Sequence, residues 1–203
     1  MILGICGFQS SGKDTAAEYL INNHNFIRFS FATVLKDVVA IMFGWPRDRL
    51  EGITLEDRLW REQVDEWWAN ALHMPHFTPR FALQYIATDL FRNHFHQDIW
   101  LKIVENKLRQ LDTDNTNVVI SDCRFPNEIA MIQQCGGKII HIYRHAKPDW
   151  VSEYEAGNDR VEEIKELHVS EISWLRSPCD ATILNDSTRE NLNLKIEELL
   201  LKL

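Results

Sequence analysis

Residues 7–15 read GFQSSGKDT and hold the residue types needed to bind phosphate. Gly7, Gly12 and Lys13 fit the spacing G-x-x-x-x-G-K. In that pattern glycines let backbone N–H groups converge on an anion, the following helix adds its positive end, and the lysine reaches the β- and γ-phosphates. The next position ordinarily carries Ser or Thr, whose hydroxyl binds Mg²⁺. Here it is Asp14, and Thr15 comes one residue late. Asp14 either holds a water of the metal or orients Lys13, with Thr15 on the α-phosphate, or it is only an acid favoured in a first helical turn. A second carboxylate, Asp122, closes the apolar run VVIS and would reach the edge of a sheet where ligands bind. It would hold Mg²⁺ through water, since that ion keeps several waters. The competing reading of Asp122 is a turn or helix cap.

Phosphate chemistry also needs cations, and Arg suits it through bidentate contacts. Arg124 and Arg144 each follow a strand end, so both should lie near the loop. Arg80 begins a helix. Lys36 is an open candidate, and Arg92, Arg160 and Arg176 are weaker. Each could instead be a solvated charge. The histidines His73, His76, His94 and His96 read as surface or core residues rather than metal ligands, and Trp67-Trp68 as helix packing.

These residues need elements to position them. Ile2–Cys6 reads as a buried strand and is followed by the loop and then by a helix with Ala16, Ala17, Leu20 and Ile21 on one face. A second strand is expected at 26–29, and a helix then runs to Gly44 and Pro46. Residues 46–112 read as helical, aromatic and charged. Helix starts are expected at Thr54 with Asp57, at Thr78-Pro79 and at Asp98, with Trp60, Val64, Trp67, Trp68 and Ala71 on one side of a single helix. Strands return at 117–122, 139–143 and 181–184, with a helix from Pro126 between the first two. The segment 145–176 reads as a polar, irregular flap. Ser187 with Glu190 predicts a capping box for the last helix. Strands alternating with helices imply a parallel sheet covered on both faces.

Composition bounds what such a chain can do. Its 203 residues are 45% hydrophobic, enough for one α/β domain with an insertion. A net charge of −8 argues against a nucleic-acid polymer as partner, while leaving a small phosphorylated ligand open. No apolar run approaches the roughly 20 residues of a membrane span, and the N-terminus does not read as a signal peptide. The four cysteines lack C-x-x-C spacing and read as reduced thiols of a cytoplasmic protein.

With these pieces in place, the chain resembles the deoxynucleoside monophosphate kinases of tailed bacteriophages, a branch of the P-loop kinases. The matching pieces are SSGKDT (10–15), FATVLKD (31–37), RFALQYIATDLFR (80–92), DIWLK (98–102), VVISDCRFPNE (118–128), IIHIYR (139–144), HVSE (168–171) and ILND (183–186). The resemblance implies a three-layer α/β P-loop NTPase fold, nucleoside monophosphate kinase-like, with a parallel sheet, a helical insertion and a lid. Its core would be 1–45 and 113–203, the monophosphate-binding insertion 46–112 and the lid 145–176. It implies transfer of the ATP γ-phosphoryl group to a deoxynucleoside 5′-monophosphate with Mg²⁺. Gly7, Ser10, Ser11, Gly12, Lys13, Asp14 and Thr15 would form the ATP loop, with Asn185 and Asp186 at the adenine. Lys36, Arg80, Gln84, Asp89, Trp100 and Arg124 would serve the acceptor. Lys13, Arg124, Arg144 and Asp122 would be catalytic, and Asp122 and Asp14 would hold metal. Ala87 and Ser187 depart from the small glycines common in the family. Two other readings stay open: a P-loop kinase for another acceptor, of the dephospho-CoA or phosphomevalonate type, and a nucleotide-gated binding module. A homodimer is also left open.

Overall fold

A computed structural model describes residues 1–111, 115–145, 148–158, 160 and 172–203. The chain divides into two compact units, Met1–Ser30 with Val104–Leu203, and Phe31–Ile103.

The first unit is built on five parallel strands, β1 (Ile2–Cys6), β2 (Phe26–Phe29), β3 (Asn117–Ile120), β4 (Lys138–Tyr143) and β5 (Ala181–Leu184), in the order β2-β3-β1-β4-β5. A sheet buried on both faces calls for strands that are apolar throughout, as in Ile2–Cys6, where all five residues are buried. One face carries Leu3, Ile5, Val119, Ile140, Ile142 and Ile183. It packs against Ala16, Ala17 and Leu20 of α1 (Lys13–His24) and against Leu192, Ile196 and Leu199 of the C-terminal helix Arg189–Leu200. On the other face Gly4 admits the helix Pro126–Gln134 closely. A Cβ at Gly4 would stand 2.9 Å from Ile132 Cδ1 and 2.7 Å from Ile139 Cδ1.

The second unit is helical. It holds α2 (Thr33–Phe43), a 3₁₀ turn (Arg49–Glu51), α3 (Leu55–Glu62), α4 (Glu66–Ala71), α5 (Pro79–Gln84), a π-helical segment (Tyr85–Phe95) and the start of α6 (Ile99–Gln110). Its core gathers Leu35, Val39, Trp45, Leu50, Ala69, Phe77, Ala82, Ile86 and Trp100. Three indoles that pack here find an acceptor: Trp45 Nε1 donates to Asp65 Oδ2 at 2.7 Å, Trp68 Nε1 to the Phe43 carbonyl at 3.1 Å, and Trp100 Nε1 to the Ala87 carbonyl at 3.0 Å.

Four local expectations are corrected. The single helix through Trp60 and Ala71 is two, because Gln63 is extended (ψ 143°) and Asp65 caps a new helix by accepting from Trp68 N at 3.1 Å. Trp68 packs, whereas Trp67 stays 66% exposed. The last helix is capped by Thr188, which accepts from Asn191 N at 3.3 Å, and not by Ser187. Within 145–176 the described residues include α8 (Asp149–Glu155) and a 3₁₀ turn (Ser173–Arg176), so that segment is not wholly irregular. Much of the expected lid, with HVSE at 168–171, lies outside the described residues. With the helix Pro126–Gln134 called α7, the C-terminal helix Arg189–Leu200 is α9.

Candidate active site

Parallel register sets the site. Phe29 pairs with Ile120, Cys6 with His141, and Tyr143 with Leu184, so the strands end together. The residues that leave them gather at one sheet edge: Gly7 after β1, Ser30 after β2, Ser121 and Asp122 after β3, Arg144 after β4 and Asn185 after β5. In open α/β sheets this carboxyl edge is where ligands bind.

The loop itself is tightly constrained. A Cβ at Gly7 would collide with the Ile142 carbonyl and come within 2.6 Å of Ser11 Oγ. Gly12 stands at φ 106°, in the left-handed region that favours glycine, as the residue capping α1. Ser10 is also left-handed at φ 60°, and Ser11 is fully buried. Lys13 folds back, its Nζ donating to the carbonyls of Gly7 at 2.9 Å and Phe8 at 2.7 Å. A cleft of about 500 Å³ opens over the loop, lined by Ser10, Gly12, Lys13, Asp14, Thr15, Arg144, Asn185, Ser187, Thr188, Arg189 and Leu192. Seven of the sequence-predicted residues therefore share one cavity.

Both candidate metal carboxylates are held by hydroxyls that sequence reasoning missed. Ser121 Oγ donates to Asp14 Oδ1 at 3.1 Å, and Ser30 Oγ to Asp122 Oδ2 at 2.7 Å. Arg28 Nη1 stands 3.9 Å from Asp14 Oδ1. Neither hydroxyl is marked in the sequence: Ser121 meets Asp14 because β3 pairs with β1, and Ser30 meets Asp122 because β2 pairs with β3. Asp14 is exposed and Asp122 half-buried. Carboxylate oxygens of this kind suit Mg²⁺, a hard ion that takes few protein ligands and keeps its waters.

Arg124 follows the end of β3 with its side chain exposed, outside the lining of the loop cleft. Its backbone N–H donates to Glu128 Oε2 at 2.9 Å, which ties the turn to α7. Asn185 is 4% exposed and donates to the Ser11 carbonyl at 2.9 Å, so it braces the loop directly. Asp186 instead turns to Lys195 at 2.9 Å, whose hydrogen bond holds the Asp186 carboxyl below its ordinary value. Arg176 donates to the Tyr154 carbonyl at 2.8 Å and lies 3.8 Å over that ring, joining the 3₁₀ turn Ser173–Arg176 to α8.

Of the expected acceptor residues, Lys36, Arg80, Gln84, Asp89 and Trp100 fall in the helical unit, whereas Arg124 belongs to the first unit. Arg80 and Gln84 are exposed and one helical turn apart on α5. The chain then continues as a π-helix, whose i→i+5 hydrogen bonding (His96 N to Phe91 O, 2.8 Å) replaces the usual spacing before Asp89 and Arg92 are reached. Trp100 is buried, 5.2 Å from the Phe91 ring. Lys36 sits in an ion-pair cluster, 2.5 Å from Glu51, which Arg47 also meets at 2.6 Å while pairing with Asp37 at 2.5 Å. Burial opposes ionisation of Glu51, but hydrogen bonds from Lys36 and Arg47 outweigh it and hold the carboxyl below its ordinary value. Among the described residues no group of three His, Cys, Asp or Glu is placed to hold a metal.

Known proteins similar to this chain identify its family. A family model described as deoxynucleotide monophosphate kinase matches residues 60–196, more than half of the chain. A protein of Acanthamoeba polyphaga mimivirus that carries the name deoxynucleotide monophosphate kinase provisionally is 36% identical over 153 residues, 71% of this chain and 74% of that one. The deoxynucleoside-5′-monophosphate kinase of Escherichia phage T5 is 24% identical, over 66% of this chain and 72% of that one. Among solved structures, a dephospho-CoA kinase from Campylobacter jejuni aligns with 99% of this chain and 96% of its own, at 20% identity and a TM-score of 0.49. On the family match and the 36% identical relative, the chain belongs to the deoxynucleotide monophosphate kinase family.

Proposed function

We propose that this protein transfers the γ-phosphoryl group of ATP to a deoxynucleoside 5′-monophosphate, giving the diphosphate for dNTP synthesis, in the cytoplasm of the cell in which it acts. The phosphate loop is the donor site and the helical unit supplies the acceptor site. The observation that carries this reading is the donor cleft, where Lys13, Thr15, Arg144 and the α1 N-terminus converge on one cavity at the sheet's carboxyl edge. Lys13 would exchange its bonds to the Gly7 and Phe8 carbonyls for the β- and γ-phosphate oxygens.

The chemistry asks little of a base. The attacking group is a phosphate oxygen, already ionised near neutral pH, so catalysis is positioning plus stabilisation of charge. Lys13, Arg124 and Arg144 provide that charge. Asp122, held by Ser30, and Asp14, held by Ser121, present the hard oxygens that would hold Mg²⁺ through its waters. Mg²⁺ so bound would neutralise developing charge on the phosphate oxygens. Arg80, Gln84, Asp89, Trp100 and Lys36 are assigned to the acceptor, with Trp100 shaping its pocket from within the core and Asn185 setting the loop beside the nucleotide.

A coupled assay of ADP release over the four deoxynucleoside monophosphates and modified ones tests this reading. The expected result is ADP formation that requires at least one of them. ADP formation indifferent to every monophosphate would contradict it.

A further inference from the structure

Two arginines on neighbouring helices of the helical unit are short of negative charge. Helices α3 and α5 pack together. Arg61, in the last turn of α3, lies against Gly52 so closely that a side chain at residue 52 would displace its guanidinium. Its Nη1 reaches only the Leu50 carbonyl, at 3.4 Å, and its buried Nε makes no hydrogen bond among the described residues. Arg80, at the start of α5, meets one carboxylate, Glu62, at 3.2 Å, and both side chains are about half exposed. Arg58 adds a third guanidinium, spent on the carbonyls of Gly52 at 2.9 Å and Ile53 at 3.4 Å. The nearby carboxylate Asp57 is already engaged by Thr54 and Arg49. Burial first, and then Arg80, pull the Arg61 pKa below its ordinary value; Glu62 opposes this, Arg58 adds to it and Asp57 opposes it least, and the net direction is down.

Gathering cations at close range costs energy, and a dianion bound bidentately offsets that cost better than one exposed carboxylate. We propose that Arg61 and Arg80 form a two-arginine clamp for the 5′-phosphate of the acceptor nucleotide, with Glu62 occupying Arg80 until that phosphate displaces it. The proposal rests on the reading of the helical unit as the acceptor side. It adds Arg61, which no motif in the sequence singles out, and it makes Glu62 a built-in competitor of the substrate.

Steady-state kinetics of four proteins test it, each substrate being varied with the other saturating. Arg61→Ala should raise the KM for the monophosphate by about tenfold or more, the scale of one lost charge-assisted contact, with the KM for ATP within about twofold. Arg61→Lys keeps the charge without the fork and should fall between Arg61→Ala and the unsubstituted protein. Glu62→Gln should lower the monophosphate KM. A second arm needs no turnover: inorganic phosphate should raise the Tm of the unsubstituted protein more than that of Arg61→Ala. Absence of monophosphate turnover in the unsubstituted protein would overturn the function and leave this arm to judge the clamp. Equal rises in both KM values for Arg61→Ala would overturn the clamp and mark Arg61 as a cap on the Leu50 carbonyl. An unchanged monophosphate KM, an unchanged phosphate response, or a higher monophosphate KM in Glu62→Gln would also overturn it.

Discussion

Asn185 does more in this site than its neighbour. Its buried amide donates to the Ser11 carbonyl and sits where a Cβ on Gly12 would go, so it fixes the loop's path. Asn185→Ala should cost about 1–3 kcal/mol, the penalty of leaving a buried acceptor unpaired, and should raise the KM for ATP. Asp186→Ala, exposed beside Lys195, should be nearly silent in both, as thermal melts and ATP titrations would show. At the reacting phosphates, Lys13→Ala and Arg124→Ala should each lower kcat/KM by about a hundredfold or more, ~2.7 kcal/mol. Normal kinetics in folded Arg124→Ala would remove that arginine from the site. The glycine-lysine spacing was legible in the sequence because loop geometry is local. The hydroxyls of Ser121 and Ser30 were not, because each holds a carboxylate on a different segment of the chain, and only strand order brings them together.

At the scale of elements, breaks and caps matter more than periodicity. Apolar spacing marks helix faces and so anticipated most helices, yet it ran through Gln63, where the backbone turns extended and Asp65 starts again. Nor does it distinguish an α-helix from the π-helical Tyr85–Phe95, whose register depends on packing. At α9, Thr188→Ala should cost about 1 kcal/mol and Ser187→Ala much less, measured by denaturant unfolding. The cluster joining α2 to the turn at Arg49–Glu51 gives a pH prediction. The folded value of Glu51 lies below its ordinary 4.5, so its stabilisation is complete above that pH and is lost as pH falls through the folded value. The Tm difference between the unsubstituted protein and Glu51→Gln should therefore be largest near neutrality and shrink in acid. A difference that grew on acidification would refute the ion-pair account.

At the scale of the molecule, the five-stranded parallel sheet was legible as alternating strands and helices, whereas its order was not, since β1 pairs with β3 and β4 across more than a hundred residues of chain. Family membership and the donor cleft together make one claim: the group leaving ATP ends on a deoxynucleotide. The most direct measurement follows that group. With ATP labelled at the γ-phosphate and a deoxynucleoside monophosphate present, the label should appear as the β-phosphate of the deoxynucleoside diphosphate, and Lys13→Ala should slow its appearance about a hundredfold. Label released as inorganic phosphate, at the same rate with or without the monophosphate, would contradict the account.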